Sequence, residues 1–92
     1  MSWTVVLSKK ATKQKRDLPE TIQLKLQALL KELEIVGPVR GNWPNYSKLG
    51  GMKHHCHIKD GRPSYAACWE VIGPEIRLIE VYYVGTREKA PY

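Results

Sequence analysis

Cysteine is scarce in this chain: Cys56 and Cys68 stand alone among 92 residues, too few for a disulfide framework and with no C-x-x-C spacing. In a reducing compartment both read as free, semi-buried thiols. Long apolar runs are lacking too, so no helix is expected to span a bilayer and no membrane partner is implied. The first residues, Met1-Ser2-Trp3-Thr4, have neither the basic nor the apolar stretch of a secretory signal, and the expectation is a soluble, cytoplasmic protein. There is no repeat, low-complexity tract or linker, and a chain this short supports one modest core, so residues 1–92 read as a single domain. Acidic residues are outnumbered, nine against fifteen Lys and Arg, for a formal charge of +6. That balance suits a polyanionic partner, nucleic acid or an acidic protein. With 42% hydrophobic and 26% charged residues the chain is neither disordered nor fibrous.

Trp3 to Leu7 is short, apolar and rich in β-branched residues, which predicts a first strand, with Ser8 placed to cap a following helix. Lys9 to Arg16 carries five basic residues, no acidic one, and only Ala11 as a clear core residue. A short helix there is a solvated cationic face, available to phosphate or to an acidic partner. Asp17-Leu18-Pro19-Glu20 combines an N-cap candidate, a proline for the first turn and an acid three residues on, so a second helix begins there. Ile22, Leu26, Leu29 and Leu33 recur at helical spacing, Leu30 and Val36 widen the stripe, and Gly37-Pro38 ends it. Val39 to Pro44 is a loop holding Arg40, Asn42 and Trp43. Strand-like segments follow at Ser47 to Lys59, with a candidate break at Gly50-Gly51, at Ser64 to Ile72 and at Ile76 to Val84. The turn signals Asp60-Gly61 and Gly73-Pro74 are too short for parallel crossovers. The expected architecture is α+β: an N-terminal strand, two helices, then a three-stranded antiparallel meander in one sheet, with the helices on one face.

All three histidines fall within Lys53-His54-His55-Cys56-His57-Ile58-Lys59. Strand alternation directs His54, Cys56 and Ile58 to the core and sets Lys53, His55, His57 and Lys59 in a row on the face away from the helices. The same alternation separates His55 from Cys56 and Cys56 from His57, which weighs against a simple zinc site and against a Cys-His nucleophile. No metal site is assigned. Arg62 follows the Asp60-Gly61 turn, and Arg87, Lys89 and Tyr92 follow the last strand. A tail returning beside the central strands gathers these groups with His55, His57 and Lys59 into one basic surface. No Ser-His-Asp set or carboxylate pair accompanies them. What remains suits proton transfer and phosphate neutralisation, the needs of RNA cleavage by 2′-hydroxyl attack.

The order of elements, the lead-in Lys48-Leu49-Gly50-Gly51, the segment His57-Ile58-Lys59, the strand Ser64 to Val71, the strand Ile79 to Gly85 and the ending Arg87…Tyr92 together resemble the RelE/ParE toxin superfamily. The likeness is greatest to the RelE-like cytotoxic translational repressors of bacterial type II toxin–antitoxin pairs. The resemblance implies a ribosome-dependent endoribonuclease, an mRNA interferase that cuts in the ribosomal A site without metal or cofactor. Its lysine-x-lysine pair falls on His57 and Lys59, its C-terminal aromatic on Tyr92 and a nearby basic residue on Arg87, which become the catalytic candidates. Lys48, Lys53, His55, Arg62 and Lys89 are the surrounding RNA-binding candidates. One departure stands out: the family's arginine after the tyrosine of the next strand falls on Ala66, so that phosphate contact is absent or comes from Arg62. The resemblance also implies a cognate antitoxin, the ribosome and mRNA as partners, and a toxin–antitoxin complex on operator DNA. Its alternatives are a gyrase-poisoning ParE-type toxin and a non-catalytic RNA- or protein-binding member.

Overall fold

In a computed structural model describing residues 2–92, the order is β1 (Thr4–Leu7), α1 (Lys9–Arg16), α2 (Glu20–Val36), β2 (Ser47–Gly50), β3 (Lys53–Lys59), β4 (Tyr65–Gly73) and β5 (Leu78–Thr86). Single 3-10 turns follow β4 at Pro74–Ile76 and β5 at Arg87–Lys89. The α+β class and the two helices agree with the sequence reading, whereas the sheet is larger than a three-stranded meander. Five strands form one mixed sheet in the order β1-β5-β4-β3-β2, with β1 parallel to β5 and every other pair antiparallel. Two causes account for the difference. Gly50 and Gly51 both take positive φ, which splits Ser47–Lys59 into a hairpin of two strands. The chain then places β1 beside the last strand, a pairing no local turn signal announces.

The stripe on α2 covers one face of this sheet. Ile22, Leu26, Leu29 and Leu33 are buried against Cys56, Ile58, Ala67, Trp69, Val71, Ile79, Val81 and Val84. Leu30 packs against the edge of this core, but Val36 is 62% exposed and does not widen the stripe, because the chain turns away at Gly37. Ser8 caps α1, its Oγ accepting from the Ala11 amide at 3.0 Å, and Ala11 is the one residue of α1 that is buried. Asp17 does not cap α2: it closes α1, donating its amide to the Gln14 carbonyl while the Leu18 amide donates to that of Lys15, and Pro19 takes the N-cap position without a side-chain bond. The link between the helices is short, and Leu18 turns inward to the core. β1 pairs with residues 78–81 of β5, and α1 lies beside the unpaired remainder, where Gln14 Oε1 accepts from the Val84 amide at 3.1 Å.

The loop after α2 is fixed to that helix through one carboxylate oxygen. Glu32 Oε1 accepts from Arg40 Nη1, Asn42 Nδ2 and Trp43 Nε1, each at 2.9 Å. The Asn42 bond, followed by those of Trp43 and Arg40, lowers the Glu32 pKa against the opposing effect of burial. The loop so anchored delivers the Pro44 carbonyl to the His57 amide at 2.7 Å, and in this way α2 helps to place the last residues of β3.

Candidate active site

The face of the sheet turned away from α2 is where β3, the β3–β4 turn and the C-terminal tail meet. His57 pairs with Ala66, and Ala66 pairs in turn with Gly85, so the three lie abreast across β3, β4 and β5. A concavity opens over them, lined by Asn45, His55, His57, Asp60, Ser64, Arg87 and Tyr92. The tail is held in place by its first turn, where the Arg87 amide donates to the Ser64 carbonyl at 2.9 Å.

His57 is not part of a solvated row. It is only 6% exposed, because Asn45 and Asp60 close over its ring. Its Nδ1 stands 2.6 Å from Asp60 Oδ1 and 2.8 Å from the Asn45 side-chain amide. Its Nε2 has no partner among the described residues and is not among their fully buried unpartnered atoms, so it faces the concavity that the ring lines. His55 lies beside it with the Tyr92 ring tilted over its own, the centroids 4.2 Å apart. His55 Nε2 is 2.7 Å from Ser47 Oγ, while its Nδ1 is buried without a partner. An orphaned lone pair costs less than an orphaned N–H, which favours a neutral ring protonated at Nε2. Burial, and then the charge of His57, depress the His55 pKa accordingly. Burial raises the Tyr92 pKa, so its phenol is protonated at neutral pH.

The structure thus brings His55, His57, Arg87 and Tyr92 together, with Arg62 in the adjoining hollow that shares Ser64 and Arg87. It separates Lys59 from them. The β3–β4 register shifts between His57 and Lys59, so Lys59 lies opposite Tyr65, whose ring packs towards the α2 side. Residues directly opposite share a face, and the bulge therefore carries Lys59 off the face His57 occupies. Lys48 pairs with His54, on the core-facing side, and Ser47 is the β2 residue that meets His55. Lys53 stands 5.8 Å from the Tyr82 ring centroid, in a separate hollow that also shares Tyr92. Lys89 lines another, with Lys10, Tyr65 and Tyr83. Asn45, Ser47, Asp60 and Ser64 belong to the site but did not stand out in the sequence. Only Asp60 has a sequence mark, three residues after His57, and its place in Asp60-Gly61 reads as a turn. Among the described residues no group of three or more His, Cys, Asp and Glu could hold a metal ion.

No sequence-family model matches the chain, and no curated protein does. Solved structures do. A chain of the intact E. coli RelBE toxin–antitoxin complex is 26% identical with a TM-score of 0.69, over 95% of this chain and 99% of that one. The isolated E. coli RelE toxin is 25% identical with a TM-score of 0.70, over 97% and 88%. The chain belongs to the RelE-like toxin superfamily. A chain of the archaeal RelE–RelB complex from Pyrococcus horikoshii has the same fold at 17% identity, with a TM-score of 0.71 over 98% and 100%. Within the RelE-like fold, the hollow beneath Tyr92 lies where β3, β4 and the tail converge.

Proposed function

We propose that this protein is the toxin of a toxin–antitoxin pair, a ribosome-dependent endoribonuclease that cuts mRNA by metal-free attack of a 2′-hydroxyl on the adjacent phosphate. The observation that carries the reading is His57. Its ring is buried, held at Nδ1 and open at Nε2 on a hollow that also presents Arg87 and Tyr92. A fixed imidazole moves the proton, a guanidinium stabilises charge growing on the phosphate, and a neutral phenol stacks on a splayed base or hands a proton to the leaving oxygen. Arg62 beside Arg87 supplies cationic charge near the phosphate, where Ala66 leaves no room for an arginine: it is fully buried between His57 and Gly85. Lys59, paired with Tyr65 off the His57 face, has no part in this reading.

The partner is a cognate antitoxin, as in the toxin–antitoxin complexes of the structural neighbours, and the assembled pair acts on its own operator DNA. The exposed cationic surface of α1 and the +6 charge support both an acidic partner and ribosomal RNA. The whole chain is read as one toxin domain working in the cytoplasm, where ribosomes are. Induced expression without the antitoxin should stop growth and protein synthesis within minutes, and His57→Ala, expressed to the same level as folded protein, should relieve the arrest. Arrest of equal depth from the His57→Ala protein would remove the histidine chemistry, and arrest accompanied by gyrase-dependent DNA breaks would replace the reading with a topoisomerase poison.

A further inference from the structure

The geometry points to Asp60 as the positioning residue that keeps the proton on His57 Nδ1 and so makes Nε2 the base that deprotonates the attacking 2′-hydroxyl. This assignment rests on the cleavage reading above and decides a point that reading leaves open, whether His57 gives or takes the first proton. A carboxylate only accepts hydrogen bonds. With Asp60 Oδ1 2.6 Å from Nδ1, a deprotonated Nδ1 would set two lone pairs against each other, so the proton resides on Nδ1. Asn45 agrees after a half-turn of its amide, an ambiguity inherent to the group, which gives up only the long 3.5 Å contact of its Nδ2 with Asp60 Oδ1. The turned amide presents Oδ1, which accepts from the same Nδ1–H at 2.8 Å. Ring rotation is opposed by burial and by the two polar contacts at Nδ1, from Asp60 and Asn45. The single remaining ring nitrogen is Nε2, which opens on the hollow, and in the neutral imidazole it is a bare lone pair.

The step then balances. The 2′-hydroxyl gives its proton to Nε2 as its oxygen bonds to phosphorus. The bond from phosphorus to the 5′-oxygen breaks, and that oxygen takes the proton of the Tyr92 phenol. The products are a 2′,3′-cyclic phosphate and a 5′-hydroxyl, and the imidazolium returns its proton to the phenolate through water. While the imidazolium exists it faces the Asp60 carboxylate, which stabilises it, just as a buried aspartate does for the histidine of a serine protease triad. Asp60 sits on the turn after the bulge with its side chain 57% exposed, so it can be changed without opening the core.

The test is Asp60→Asn, compared with the wild-type full-length protein. Nitrogen-15 NMR of the imidazoles should show His57 protonated at Nδ1 in the wild type and shifted to the Nε2–H tautomer in Asp60→Asn, whose amide can donate to Nδ1. Single-turnover cleavage on ribosomes programmed with a defined mRNA should fall by about 10²- to 10⁴-fold while ribosome affinity is unchanged. A wild-type His57 protonated at Nε2, or an Asp60→Asn protein cutting at the wild-type rate, overturns the assignment and leaves the cleavage reading standing. A wild type with the Nδ1–H tautomer that cuts nothing overturns the cleavage reading, and the base role with it.

Discussion

On the α2 side of the sheet, His54 forms a triangle with two aromatic rings, which are themselves 6.2 Å apart. Tyr46 and Trp69 stack with it at centroid separations of 5.9 Å each, and the Tyr46 hydroxyl lies 2.7 Å from its Nδ1. Burial first, then the charge of Lys48, lowers the His54 pKa, and His55 shifts in the same direction. The unfolded chain therefore binds protons at a higher pH than the folded one. The stability these histidines contribute is complete above their unfolded pKa of ~6.5 and is lost as pH falls below it. Thermal unfolding should move to lower temperature between pH 7.5 and 5.5, a window in which carboxylates hardly titrate, and His54→Gln should flatten that slope. A slope unchanged in His54→Gln would contradict the account. Alternation along Lys53–Lys59 made the inward set His54, Cys56 and Ile58 legible, and these three are buried. The closure over His57 was not legible, since Asn45 lies twelve positions away and reaches the ring only because the loop before β2 is pinned to α2.

Among the elements, the stripe of α2 and the cap on α1 were plain from spacing, because both are local patterns. The bulge that removes Lys59 from the His57 face has no sequence mark. It appears only when β3 is laid against β4, and it is the reason a basic pair two residues apart is not a pair in space. Pairing of β1 with β5 was equally hidden, since it follows from where α1 and α2 return the chain. The joint that allows this return is Gly37, at φ +112° and ψ −171°, where an added Cβ would come within 2.9 Å of Trp3 Nε1. That backbone region is open essentially to glycine alone and costs other residues about 1–3 kcal/mol. Trp3 cannot easily retreat, for its amide donates to the Glu34 carbonyl at 2.6 Å and its ring packs on the core. Gly37→Ala should thus lower the urea midpoint by an amount in that range with the m-value unchanged. An unchanged midpoint would show that the junction between α2 and β1 is slack.

For the molecule as a whole, composition settled little beyond a small basic chain, and the likeness of its strand order and ending to RelE-like toxins supplied the rest. The fold meets that expectation, while the site differs from the sequence reading at Lys59, which the β3–β4 register carries off the His57 face, and Ala66 stands where the resemblance implies an arginine. These departures shift the proposed chemistry from a cluster of cations to one oriented imidazole between Arg87 and Tyr92. The most direct test is translation of a defined mRNA on purified ribosomes with this protein added, the cut ends mapped by primer extension, and His57→Ala run alongside. The account predicts cuts inside the A-site codon that need the ribosome, persist in chelator and disappear with His57→Ala. Intact mRNA after incubation with folded, antitoxin-free wild-type protein would contradict it.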